Sequence, residues 1–133
     1  MKQSLPLTEL QKALYARLST ILSVGVLYHL GAEPVTTFPH ASIGDFTVSD
    51  WSNKSSMSIQ VDGLIHVWSK YEGVKECQEV AEDILESLTE TELSLDGGHQ
   101  IIDTRFIGFT TVGEFNGTEL IRHGTLTVRW LLV

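Results

Sequence analysis

Between Met57 and Leu88 the hydrophobic pattern changes from alternation to helical spacing across one short turn, and few architectures accommodate that switch. Met57, Ile59, Val61, Ile65 and Val67 alternate with Ser58, Gln60, Asp62 and His66, the period of a strand that buries one face. Leu64 and Trp68 fall on the polar side, which predicts that this face is partly covered, and Gly63 marks a bulge or a close approach. Beyond Ser69-Lys70-Tyr71-Glu72-Gly73, the residues Val74, Cys77, Val80, Ala81, Ile84, Leu85 and Leu88 recur every three or four positions and predict an amphipathic helix. Its outer face carries Glu76, Glu79, Glu82, Asp83 and Glu86 against Lys75. Such a helix is stable only when its apolar stripe lies on a sheet.

The flanking sequence supplies that sheet. Thr8 and Gln11 stand at capping-box spacing before Leu10, Leu14, Leu18, Ile21 and Leu22, which predicts a first helix stopped at Gly25. Val24 to Leu30 reads as a short strand or an extended link, after which Pro34 and Pro39 break the chain. Ala41 to Val48 predicts a strand joined by the polar tip 49–56 to the alternating strand. Asp96-Gly97-Gly98 is a turn signal, Gln100 to Phe109 a further strand, and Asn116-Gly117 a second hairpin tip. Leu120, Leu126, Val128, Trp130 and Leu132 alternate with His123, Thr125, Thr127 and Arg129 to the end. The predicted fold is α+β: a mostly antiparallel sheet of four to five strands, with two amphipathic helices packed on one face.

At 133 residues the expectation is a single domain over 1–133. Nine Lys and Arg against 17 Asp and Glu leave a formal charge of −8, which repels a phosphate backbone and argues against tight nucleic-acid binding. The lone Cys77 forms no internal disulfide, so folding in the cytoplasm is expected. The first residues do not read as a secretory signal. The stretch Leu18 to Ala32 is interrupted by Ser19, Thr20, Ser23, Gly25, His29 and Gly31 and falls short of a membrane span. No membrane partner is expected.

The sequence shows no constellation for chemistry. His29, His40, His66, His99 and His123 include no i, i+4 pair for zinc, and one cysteine makes no thiolate site, so no metal and no cofactor is assigned. His66 and His123 sit on the polar sides of their strands and are read as surface or hydrogen-bonded groups. No phosphate loop or nucleophile elbow is present, the helix carboxylates are read as a solvated face, and Cys77 in an apolar stripe as an inert thiol. An enzyme is not expected and no catalytic residue is named. What stands out is display. The tips Asp45 to Ser56 and Gly113 to Thr118 carry Phe46, Trp51 and Phe115, which either anchor an interface or fold back on the core. The candidate interface comprises Asp45, Phe46, Asp50 and Trp51 at the first tip, and Phe115 with Asn116 at the second. Leu64 and Trp68 on the strand face and Glu79, Glu82, Asp83 and Glu86 on the helix complete it.

Several short motifs, in order, resemble one family. They are Leu10-Gln11-Lys12-Ala13-Leu14-Tyr15, Ile43-Gly44-Asp45, His66-Val67-Trp68-Ser69 leading into Gly73-Val74-Lys75-Glu76, and Arg122-His123-Gly124. The sequence resembles the tail terminator, or tail-completion, proteins of bacteriophages with long non-contractile tails. The resemblance implies a structural virion protein, assembled in the host cytoplasm, that forms a hexameric ring on the tail tube, halts its polymerisation and meets the head-completion protein. DNA would pass through such a ring without tight binding. Trp68-Ser69 and Arg122-His123-Gly124 carry over as fold or packing positions. The alternatives are a head-closure or neck adaptor, and a small histidine-dependent enzyme.

Overall fold

The alternating strand lies at the centre of a five-stranded sheet, in a computed structural model that describes residues 4–21, 25–27, 38–70 and 74–133. The elements are α1 (Leu7–Leu18), β1 (Gly25–Leu27), β2 (His40–Asp50), β3 (Ile59–Ser69), α2 (Lys75–Glu90), β4 (Ile101–Asn116) and β5 (Glu119–Leu132). Strand order is β1-β2-β3-β5-β4, with β1 parallel to β2 and every other pair antiparallel. The α+β fold with a mostly antiparallel sheet is therefore as predicted.

Register explains which residues are buried. Ile59, Val61, Ile65 and Val67 on β3 lie opposite Leu132, Trp130, Leu126 and Gly124 on β5, so one face of both strands is apolar throughout. Leu10, Leu14 and Leu18 of α1 and Cys77, Val80, Ile84 and Leu88 of α2 join that face in one core cluster. Each fully buried aliphatic side chain contributes about 1.5–3 kcal/mol of transfer free energy, which offsets the entropy of ordering the chain. Gly63 is a close approach: a Cβ there would stand 2.6 Å from Trp130 Cζ3 and 2.8 Å from Phe46 Cε1. The bulge lies across from it, in β2 between Ile43 and Phe46.

Several boundaries differ from the sequence reading. α1 begins at Leu7 behind Pro6 with no side-chain cap, so the Thr8–Gln11 capping box does not form; Thr8 is already inside the helix and Leu10 N donates to Pro6 O (2.9 Å). The helix ends at Leu18, not at Leu22, because the Ser19 and Thr20 hydroxyls donate back to Tyr15 O (2.8 Å) and Arg17 O (2.6 Å) and compete with the backbone. Gly25 is no helix stop; it opens β1, opposite His40. Of the stretch 24–30 only Gly25–Leu27 is described, as strand, and Leu22 and Pro34 lie outside the described residues. β4 runs past Phe109 to Asn116, with irregularities between Ile101 and Asp103 and between Phe106 and Gly108 that shift its alternation twice. Gly97, Gly98 and Gly117 take positive φ in the predicted turns.

The two helices are joined at a place the sequence does not mark. α2 has no basic residue in its last turn, and Arg17 from α1 supplies the missing cation: its Nη1 donates to Ser87 O (2.5 Å) and Thr91 O (2.6 Å).

Gly124 shows how tightly helix and sheet meet. A Cβ there would come within 2.6 Å of Cys77 Sγ and 2.9 Å of the Phe109 ring. Gly124→Val is expected to lower stability by roughly 1–3 kcal/mol through overpacking. Gly108→Ala, where a Cβ meets nothing within 4 Å, should leave the unfolding free energy measured by urea titration within about 0.5 kcal/mol of wild type.

Candidate functional site

The second face of the sheet has no described helix against it and carries a cluster of rings instead. Odd residues of β3 face the helices, so Leu64, His66 and Trp68 lie on the open side, where His66 pairs with Thr125 and Trp68 with His123. The Trp68 and His123 rings stack at 3.8 Å with 8° between planes, and His40 from β2 stacks on Trp68 at 6.1 Å. His66 Nδ1 and His123 Nε2 share a hydrogen bond of 2.8 Å, and His123 Nδ1 lies 3.4 Å from Glu114 Oε1. A carboxylate only accepts, so Glu114 assigns the proton to His123 Nδ1, leaving Nε2 to accept from His66. Next to this cluster, Arg129 clamps Asp62 with Nε to Oδ1 at 2.8 Å and Nη2 to Oδ2 at 3.1 Å.

These contacts fix the rings. His66 Nε2 stands only 2.6 Å from where a Gly44 Cβ would be, so its second nitrogen is walled in by β2. Among the described residues no group of three His, Cys, Asp or Glu side chains is arranged so that it could hold a metal ion. The Trp68 indole N–H is buried without an acceptor among them. The Cys77 thiol, buried under β3, is pushed above its ordinary value chiefly by desolvation.

The other features lie at the margins. The β2–β3 loop, 51–58, is held by its own side chains. Asn53 Oδ1 accepts from the Ser55 and Ser56 amides (both 2.9 Å), the Ser58 amide donates to Ser52 Oγ (2.8 Å), and Ser52 Oγ donates to Asp50 Oδ1 (2.6 Å). From this loop Trp51 projects 49% exposed. At the opposite end, the β4–β5 hairpin extends beyond the last β3 residue, Ser69, which pairs with Arg122; Phe115 near its tip is 75% exposed. A groove of about 360 Å³ opens between α2 and β4, lined by Ala81, Glu82, Leu85, Phe106, Phe109 and Leu126.

The candidate interface residues are thus dispersed. Asp45 and Asp50 are exposed on β2, Trp51 heads the loop, Leu64 and Trp68 are half-buried on the open face, and Phe115 and Asn116 end β4. Glu79, Glu82, Asp83 and Glu86 are exposed along α2. Of the two readings open to Phe46, the structure takes the one in which it folds back on the core: it sits within β2 on the helix side, half-buried and edge-on to Trp130 at 6.2 Å, because the bulge after Ile43 turns it inward. The sequence reading missed Phe106, which is 52% exposed on β4: the irregularity at Ile102 shifts the alternation so that Phe106 lies opposite Val128, on the helix side and beside the α2–β4 groove, and neither this irregularity nor the one at Ile107 is legible from a run of apolar residues.

The His66 environment sets a pH dependence. Burial lowers its affinity for a proton, the neighbouring His123 lowers it further, and Asp45 opposes both. The folded state therefore binds this proton less tightly than the unfolded chain, whose histidines titrate near 6.5. The stabilising contribution is complete above about pH 6.5 and is lost as pH falls towards the depressed folded value. Melting temperatures between pH 7.5 and 5 should fall less steeply for His66→Gln than for wild type; parallel curves would contradict this origin.

Comparison with known proteins follows the same outline. The profile of the family described as tail completion protein gp17 matches residues 12–132. Comparison with curated protein sequences finds no match. Among solved structures, the chain is similar to one in the virion of a native gene transfer agent particle, at 18% identity, 98% coverage of both chains and a TM-score of 0.74. It is also similar to the bacteriophage SPP1 gp17 protein, at 24% identity over 96% of this chain and 95% of that one, with a TM-score of 0.55. At these identities the two likenesses speak for the fold, whereas the match over 12–132 speaks for descent: the chain belongs to the tail completion protein gp17 family, structural components of the virion tail.

Proposed function

We propose that this chain, acting as one domain, assembles as a homohexameric ring on the end of the tail tube, stops tube polymerisation and offers its outer surface to the head-completion protein. The observation that carries this reading is the family match over residues 12–132, nearly the whole chain. Two physical features support it. Exposed large apolar residues, Trp51, Phe106, Val112 and Phe115 among them, lie at loop, edge and hairpin positions, where contact with other subunits would cover them. A formal charge of −8 suits a ring through which DNA passes, since like charge shortens the residence of phosphate on the wall.

In this reading the interface draws on Asp50 and Trp51 at one end of the sheet, Phe115 and Asn116 at the other, and the carboxylates of α2 between them. Subunit contacts should exceed roughly 1,000 Å². Sedimentation of the purified chain, followed by negative-stain imaging after mixing with tail tubes, tests the proposal. The expected result is a closed ring, free or on tube ends. A chain that stays monomeric and leaves tube ends bare would sink it.

A further inference from the structure

Two surfaces of this chain complement each other and cannot meet within one molecule. The first is the β2–β3 loop, a knob whose backbone is fastened by the Asn53, Ser52 and Asp50 side chains and closed at its base by Trp51 N donating to Ser58 O (2.8 Å). It presents a half-exposed indole at Trp51 and an ammonium at Lys54, which makes no ion pair among the described residues. A loop ordered in this way loses little entropy when it docks. The second is the groove between α2 and β4, apolar at its floor with Leu85, Phe106 and Phe109, and acidic at its rim with Glu82. Glu79 extends the same charge along the helix, with Lys75 3.9 Å from it, whereas Asp83 and Glu86 line a separate recess together with Arg17.

The sheet keeps knob and groove apart. The loop springs from β2 and β3, while β5 and β4 follow in the order β1-β2-β3-β5-β4. The groove lies at the level of Phe106, opposite Val128 and so in line with Gly63, four residues up β3 from Ile59 at the loop's base. At about 4.8 Å per strand and 3.3 Å per residue, the loop base is roughly 15 Å or more from the groove, and the loop points away from it. An indole with an ammonium on the same loop and an apolar cleft with a carboxylate rim are complementary, and a second copy of this chain supplies the half that each surface lacks.

We propose that Trp51 of one copy enters the α2–β4 groove of the next, with Lys54 against Glu82 at its rim. The inference rests on the ring reading and specifies its subunit contact. Because the two surfaces differ, the contact is head-to-tail, the kind that closes into a ring when the rotation between subunits allows. The β4 irregularities at Ile102 and Ile107 favour this mode over simple strand addition, since they interrupt the ladder of edge groups that a neighbouring strand would need.

Charge exchange in the full-length chain tests the contact. Lys54→Glu alone and Glu82→Lys alone should each weaken ring formation at fixed concentration at least about tenfold, the loss of one hot spot. The two changes in the same chain should restore it, because opposite charges again face each other at every contact. Trp51→Ala should weaken assembly with no such rescue. All three positions are exposed, and circular dichroism and melting temperature should match wild type. Rings would be counted by sedimentation and, where they form only on tubes, as the fraction of capped tube ends. Wild-type rings that persist in every variant overturn the docking while the ring reading stands, and single-variant losses without rescue in the double variant overturn the Lys54–Glu82 pairing. A wild-type chain monomeric even with tubes overturns both.

Discussion

The pairing of β3 with β5 is the interaction on which the remaining structure depends. Eleven residue pairs, from Ile59 with Leu132 to Ser69 with Arg122, place two apolar rows side by side and so make one surface on which both helices can lie. Trp130 is the largest side chain in that surface, and Gly63 leaves room for its ring while Phe46 closes over it from β2. At the other end, Gly124 admits Cys77 and the Phe109 ring, so the two glycines set how near the helices and β4 approach. Larger side chains at either position would separate layers that are packed to contact.

The same register sorts polar chemistry onto the opposite face. Asp62 with Arg129, and His66 with His123 and Glu114, are satisfied by partners on neighbouring strands, and Trp68 is held between two histidine rings. These contacts hold the rings in place: His66 and His123 are joined by a hydrogen bond, His40 and His123 stack on Trp68, and His66 Nε2 is walled in by β2. The features left to act on partners are peripheral, namely the Trp51 knob, the Phe115 hairpin, the acidic side of α2 and the groove beside it. A structural component of a virion tail has need of such peripheral contacts and of a rigid centre that holds them at fixed spacing.

Much of the fold was legible in the sequence because its signals are local and periodic. The alternation in β3 and β5, the stripe of α2 and the glycine turns at 97–98 and 117 each depend on a few adjacent residues. The readings that failed are those in which neighbours compete. Ser19 and Thr20 end α1 early by bonding its carbonyls, Pro6 takes the place of a capping side chain, and paired apolar residues at 101–102 and 106–107 conceal the irregularities of β4. A run of apolar residues has no periodicity error to display, so the placing of Phe106 on the helix side, opposite Val128, appears only when β5 is laid against it.

By itself the sequence determined the α+β class, the single thiol in a core stripe, the strong negative balance and the order of motifs that mark the family, since all of these follow from residue types and short spacings. Tertiary structure decided the rest. It brought Arg17 to the end of α2, 70 residues away in sequence, joined His66 to His123, turned Phe46 inward, and opened the α2–β4 groove. These are juxtapositions of side chains from elements distant in the chain, and their geometry exists only once the β3–β5 register has closed the loops between them.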